Sequence, residues 1–365
     1  MGKNILAISN FGDFVGGGER SFFDVIYRIG QHFSPVVVAP KDGTLVDRFQ
    51  MNNIYAEVIP FSKIRPWFFL SILESIQNLK KTVEEANVSL IYANGSRPTF
   101  YGGLVGRILK IPVVWHCRIS EKDRWLDFVL SKLSSLIIVN SRATAKRFPE
   151  QIQKKIRIIH NGIDTHWLRD ERICRDQVQV PDGRILLVVA RVSKWKRHDL
   201  ALDAFEEVAE VHPDLHLILV GAKDPFEPEW WNYLQKRTID SLYTERIHWI
   251  GHIDDVRPWY HAASILLLPS DNEPFGRVLV EAMACGIPVV ATRGGGVPEI
   301  VRHEKDGFLV SMGNRHELAA AVRTLLENDA TRLKMGEFGK ERAKEFGIES
   351  HLRAIIDVFK EAIGF

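Results

Sequence analysis

The chain has 365 residues, 45% of them hydrophobic and 26% charged, and a net charge of only +2. That length exceeds one ordinary core and fits two domains of roughly 150–200 residues, while near-neutrality gives no reason to propose nucleic acid as a partner. Three scattered cysteines, Cys117, Cys174 and Cys285, lack metal-ligand spacing and argue against a disulfide framework, which fits a reduced cytoplasm. No apolar run reaches the roughly 20 residues that span a bilayer. Met1-Gly2-Lys3-Asn4 enters a strand pattern at once, without the plan of a signal peptide, so the expected location is the cytoplasm.

In chain order, Ile5–Ser9 reads as a buried strand, followed by a glycine loop and a helix over Glu19–Phe33. Pro35–Ala39, Ala56–Pro60, Leu90–Ala93, Val113–His116, Leu136–Asn140 and Ile156–Ile159 are further strands, with helical patterns between most of them. The pattern then restarts: strands at Ile185–Ala190, Leu215–Val220, His248–Gly251, Ile265–Pro269, Pro288–Ala291 and Gly307–Val310, with helices at His198–Val211 and from Asn314 onward. Unbroken apolar strands separated by helices predict α/β units, each a parallel sheet covered on both faces. The polar stretch Asp170–Gly183 is the weak point, and the boundary is expected near Asn161–Asp182. The reading is an N-terminal Rossmann-like domain over 1–165, a second over 166–345, and a C-terminal helix over 346–365 that returns to the first. Two doubly wound halves, with ligand sites at the strand carboxyl ends, imply a cleft between them.

Four places carry chemistry. Gly16-Gly17-Gly18-Glu19-Arg20 follows the first strand; it is not the G-x-G-x-x-G fingerprint, but it permits close backbone approach to a phosphate. His116 ends a strand of the first domain, a position expected to face the cleft, with Arg118 beside it as a weaker candidate for an acidic ligand. Arg191 follows a strand and Lys196 lies five residues on; a diphosphate leaving group needs such positive charge. Lys194 competes with Lys196 for that place.

The fourth and most informative place is the run Pro269 to Val290, which contains Glu273-Pro274-Phe275-Gly276-Arg277 and Glu281-Ala282-Met283-Ala284-Cys285-Gly286-Ile287-Pro288. It reads as strand, loop, helix, glycine stop, strand, with Pro274 suited to the helix start and Gly286 to its end. Backbone N–H groups around Phe275–Arg277 would then face phosphate or sugar oxygens. Glu273 and Glu281 stand eight residues apart; eight helical residues rise about 12 Å, comparable to a sugar-diphosphate-ribose. Carboxylates accept from vicinal hydroxyls, so one glutamate reads a sugar and the other a ribose.

This run resembles the signature of retaining glycosyltransferases of GT-B fold, above all glycosyltransferase family 4. The resemblance implies two Rossmann-like domains facing a cleft and a nucleotide-sugar donor, uridine favoured over guanosine. The resemblance also implies an acceptor hydroxyl on a glycan, a lipid-linked or a small molecule. It implies that Glu273 contacts the donor sugar, Glu281 the ribose, and the backbone of Phe275 and Gly276 the sugar. Arg191 and Lys196 fall on the family's diphosphate pair, although Ala190 replaces the usual glycine. Gly17, with Gly16, falls beside the diphosphate, and His116 beside the donor sugar. His160-Asn161-Gly162-Ile163-Asp164 resembles the turn that opens the second domain, the backbone near Ile253 a nucleobase loop, and Arg293-Gly294-Gly295-Gly296-Val297-Pro298-Glu299 a loop-shaping element. No Asp-x-Asp is present (Asp254 and Asp255 are adjacent), so no metal and no separate cofactor is expected. Other GT-B activities (a nucleotide-sugar epimerase, a phosphorylase) and a non-catalytic nucleotide-sugar binder remain as alternatives. The basic-aromatic segment 61–81 reads either as a helix packing its aromatics into the first domain, which is favoured, or as a peripheral contact with the inner face of the membrane.

Overall fold

Runs of Ile, Val and Leu with no polar alternation can be buried only between two layers of helices, and these runs form two separate sheets. The structure is a computed structural model that describes residues 3–62, 64–170, 173, 177–179 and 182–364. The readings that touch Met1, Gly2, Lys63, Cys174 and Pro181 lie outside the described residues. The chain divides into two compact units, Met1–Gly162 with Ile348–Phe365, and Ile163–Gly347.

In the first unit seven strands lie in the order β3-β2-β1-β4-β5-β6-β7: β1 (Lys3–Ile8), β2 (Phe33–Ala39), β3 (Ala56–Val58), β4 (Val88–Asn94), β5 (Val113–Cys117), β6 (Leu136–Val139) and β7 (Ile156–Ile158). Every pairing is parallel. Side chains of β1 alternate between faces as a pleat requires: Ile5 and Ala7 join Phe22 and Tyr92, while Leu6 and Ile8 join Tyr101 and Val105. The helix Ile348–Ala362 belongs to this unit. Its apolar stripe Leu352, Ile355 and Phe359 packs on the first face, with the Phe359 ring 5.0 Å from Tyr92 and 5.8 Å from Phe33. Burying Phe359 completely contributes about 1.5–3 kcal/mol.

The second unit has six strands in the order β10-β9-β8-β11-β12-β13: β8 (Arg184–Val189), β9 (Leu215–Val220), β10 (Ile247–Gly251), β11 (Ile265–Leu268), β12 (Val289–Thr292) and β13 (Gly307–Val310). These pairings are also parallel. The strand order reverses between β1 and β4 in one unit and between β8 and β11 in the other. In open parallel sheets, the crevice outside the carboxyl ends at such a reversal is where ligands bind.

Three local expectations are corrected. The helix expected over Glu19–Phe33 is Gly17–Arg28, followed by a short 3-10 turn, because Phe33 is already the first residue of β2. The helix expected to start at Pro274 is Arg277–Ala284: Gly276, at φ +94°, turns the chain in the left-handed region just before it. The aromatics of segment 61–81 do not all pack inward, since Trp67 and Phe69 are exposed, as is the aliphatic Leu70, while Phe61 is buried. Among the described residues no helix is long and apolar enough to cross a membrane.

Candidate active site

The reversal of the second sheet gathers residues that are far apart in sequence. Arg191 and Lys196 leave the carboxyl end of β8, and Glu273 leaves the end of its neighbour β11. Lys196 Nζ donates to Glu273 Oε2 at 2.6 Å, and Asp271 N donates to the Trp195 carbonyl at 2.8 Å, so the two loops are tied by side chain and backbone. Lys196 also lies 4.0 Å from the Trp195 ring centroid, a cation–π contact that restricts a flexible stem. Lys194, the competing candidate, is exposed, and its backbone N–H donates to Glu227 Oε2 at 2.6 Å. Arg191 Nε pairs with the buried Asp224 at 3.2 Å, which aims the guanidinium from the same strand end. Sequence reading misses Asp224; its signal is an acid four residues past the end of β9, the neighbour of β8.

Glu273 is held from behind by the glycine run. Gly296 N donates to the Glu273 carbonyl at 2.8 Å. Gly295 sits at φ +56°, and a Cβ there would meet that same oxygen at 2.1 Å. Only glycine permits this approach and this dihedral together, which gives the loop-shaping reading of Arg293–Glu299 a physical basis. Phe275 is 2% exposed and packs its ring on Phe346 at 5.9 Å, so only its backbone is available to a ligand. Arg277 is the first residue of the helix, and its Nε donates to Glu281 Oε1 at 2.9 Å.

Glu281 lies on that helix and Glu273 in the loop before it. The notion of a helical ruler is therefore corrected: the eight-residue spacing combines loop and helix. Both oxygens of Glu281 are engaged, Oε2 accepting from Tyr260 O–H at 2.8 Å and Oε1 from Arg277. Burial, reinforced by the Glu281 charge, pushes the Tyr260 phenol well above its usual range, so it remains a donor. A carboxylate has about four lone-pair directions, so Glu281 keeps capacity for further donors. Tyr260 is a second residue the sequence reading misses; a buried phenol must find a partner. Ile253 is half-buried in the loop after β10 and packs on the core beneath.

At the reversal of the first sheet, Gly16 precedes the helix Gly17–Arg28. Gly16 and Gly17 are exposed. A Cβ on Gly16 would meet nothing within 4 Å, so the protein's own packing does not demand glycine there. His116, expected to face the cleft, is buried. It is 0% exposed, and its Nδ1 accepts from Tyr92 O–H at 2.6 Å and from Arg118 Nη2 at 3.2 Å. Arg118 can only donate, so the ring proton belongs on Nε2. Burial, then the Arg118 charge, holds the imidazole well below its ordinary pKa. Arg118 in turn donates to Asn94 Oδ1 at 2.8 Å, Asn161 Oδ1 at 2.6 Å and Ser21 Oγ at 3.0 Å. Among the described residues no cluster of three or more His, Cys, Asp or Glu has a geometry that could hold a metal.

Two family profiles match: Glycosyltransferase Family 4 over residues 15–167 and Glycosyl transferases group 1 over residues 170–342. Two parallel Rossmann-like sheets with this constellation define a GT-B glycosyltransferase, and the chain belongs to the family 4, group 1 glycosyltransferases. An uncharacterized glycosyltransferase of Methanocaldococcus jannaschii is 27% identical over 77% of this chain and 78% of that protein. The N-acetyl-alpha-D-glucosaminyl L-malate synthase of Bacillus anthracis is 32% identical, over 53% of this chain and 50% of its own length. Among solved structures, Anabaena Alr3699/HepE in complex with UDP-glucose aligns with a TM-score of 0.85 and 26% identity, covering 98% of this chain and 99% of that one.

Two buried histidines, His116 and His198, and two half-buried ones, His216 and His248, couple this architecture to pH. Burial, then Lys196, lowers His198 to about 4; His116, His216 and His248 are lowered as well, chiefly by burial. The unfolded chain takes up these protons near pH 6.5 while the folded chain resists them. Stability is therefore full above that pH and is lost as pH falls toward 4. For His198 alone the expected loss is about 3 kcal/mol. Urea midpoints at neutral pH and at pH 5 check this; equal midpoints would contradict it.

Proposed function

We propose that the chain transfers a sugar, with retention of anomeric configuration, from a uridine diphosphate sugar to an acceptor hydroxyl, without a metal ion. The observation that carries this is the Lys196–Glu273 pair, which joins the loops after β8 and β11 at the switch point of the second unit, with Arg191 on the same strand end as Lys196. The likeness to HepE, whose structure holds UDP-glucose, supports a uridine donor. Glu281 accepts from the ribose hydroxyls, and the backbone near Ile253 lies against the base. Arg191, Lys196 and the first N–H groups of the helix at Arg277 take the diphosphate. Glu273, with the backbone of Phe275 and Gly276, orients the sugar.

The bond from the anomeric carbon to the β-phosphate oxygen breaks, and the acceptor oxygen bonds that carbon from the same face. The acceptor proton passes to the departing phosphate oxygen. Charge that grows on that oxygen is met by Arg191 and Lys196, which bind the leaving diphosphate more strongly than the ground state. The acceptor side falls to the first unit, where Gly16 and Gly17 leave the backbone exposed. His116 acts there through Arg118, since burial removes it from direct contact with a sugar.

Thermal shift with uridine, guanosine and adenosine diphosphates, followed by sugar transfer in the presence of a chelator, tests the proposal. Uridine diphosphate is expected to raise the melting temperature most, and turnover is expected to survive chelation. Turnover lost to chelator and restored by a divalent ion would overturn the metal-free reading. Conversion of the donor to an isomer without acceptor would favour an epimerase, and binding without turnover a non-catalytic binder. The Tyr260–Glu281 bond gives a finer check. Tyr260→Phe removes one donor to the ribose-reading carboxylate and is expected to weaken uridine diphosphate about three- to tenfold. Unchanged calorimetric affinity would separate Glu281 from the ribose.

A further inference from the structure

The helix Phe69–Glu85 changes character along its length. Toward its end, the exposed side carries Lys80, Lys81, Glu84 and Glu85, joined in i,i+4 pairs at 3.5 and 3.8 Å, as a solvated face should. At its start the outward residues are apolar: Phe69 is 60% and Leu70 79% exposed, and Trp67 in the preceding turn is 71% exposed. Buried residues of the same helix, such as Leu79 and Val83, already supply its core contact, so these three side chains are surplus to folding. A second group lies on the helix Arg124–Leu133, where Trp125 is 71% and Phe128 59% exposed.

The two groups share one edge. The helix Ser96–Leu109 packs against both of the others, and all three follow strands of one parallel sheet, so their first turns stand at its carboxyl edge. Helix axes pack about 8–10 Å apart, which separates the two aromatic groups by about two helix spacings. Single exposed hydrophobes need no explanation, but aromatic groups concentrated on one edge do. Cations are interleaved: Arg65 Cζ lies 5.4 Å from the Trp67 ring and Lys132 Nζ 5.5 Å from that of Phe128, and Lys122 and Arg124 are exposed beside Trp125. Two acids lie in the same stretch: Asp123 caps its helix through Leu126 N at 3.0 Å, and Glu121 is exposed next to Lys122. Trp and Phe with snorkelling Lys and Arg match the boundary between headgroups and acyl chains of an anionic bilayer.

We propose that this edge of the first unit docks on an anionic lipid surface, inserting Trp67, Phe69 and Leu70 on one side and Trp125 and Phe128 on the other. Docking through this edge depends neither on the donor nor on the transfer reaction.

Co-sedimentation of the full chain with phosphatidylcholine vesicles, with and without about 30 mol % phosphatidylglycerol, tests it. The expected result is strong binding to the anionic vesicles, weakened by salt. Trp67→Ala/Phe69→Ala/Leu70→Ala should lower the partition coefficient at least about tenfold. Arg65→Glu/Arg124→Glu, which leaves the apolar groups in place, should remove the preference for anionic vesicles. A chain that stays in the supernatant with both vesicles overturns the proposal, as does binding unchanged in both variants. A concentration-dependent dimer that the triple variant dissociates, with no vesicle binding, would assign the edge to a second copy instead.

Discussion

Lys196→Ala is expected to lower turnover by about 10²–10³-fold, the usual cost of removing one charge-stabilising donor from a transition state. Two effects combine. Lys196 is proposed to meet the charge growing on the leaving diphosphate, and it is also the partner of Glu273 at 2.6 Å. With side chains 15% and 11% exposed, neither group is well solvated. Removal of the lysine leaves a carboxylate short of its partner, a cost of about 1–3 kcal/mol in stability. Pairing Lys196→Ala with Glu273→Gln separates the two effects. The double variant should recover most of the lost melting temperature, since no carboxylate is left uncompensated, yet remain slow, since the leaving group still lacks its cation. Turnover within a few fold of the parent in Lys196→Ala would remove Lys196 from the chemistry. Lys194, exposed and on the same turn, would then be the residue to test.

The two-unit α/β organisation is legible in the sequence because a strand covered on both faces leaves a strong local mark. Runs such as Leu215–Val220 and Gly307–Val310 are read with the boundaries the structure shows, since each is a short apolar run closed by polar or glycine residues. Helix starts are read less well. Pro274 looks like a first helical residue, but the left-handed Gly276 lets the loop continue to Arg277; dihedral choice at a glycine has no sequence signature. His116 shows the same limit for side chains. A strand end predicts exposure at the carboxyl edge, yet the ring is buried, and the neighbouring strand supplies Tyr92 and the residue two further on supplies Arg118, both bonded to its Nδ1. Of the candidate site, the charged residues are visible in sequence, while their partners Asp224 and Tyr260 are not. Each reaches its partner only through sheet pairing or helix packing across tens of residues.

The two glutamates are expected to respond differently to removal. Glu281, fixed by Tyr260 and Arg277, is proposed to read the ribose, which every nucleotide ligand carries. Glu273, on the lysine side, is proposed to read the sugar, which free nucleoside diphosphate lacks. Glu281→Ala should therefore weaken uridine diphosphate and the full donor by similar factors, about 1.5–3 kcal/mol for a lost bond to a charged group, which calorimetry resolves. Glu273→Ala should leave uridine diphosphate affinity near that of the parent and reduce transfer. Removing Glu273 also frees the Lys196 ammonium, which can bind the diphosphate more strongly, so a modest gain in affinity for the bare nucleotide accords with the assignment. A loss for the bare nucleotide as large as that in Glu281→Ala would place both carboxylates on the nucleoside. The Lys196–Glu273 pair would then be a brace between two loops, with no part in reading the sugar.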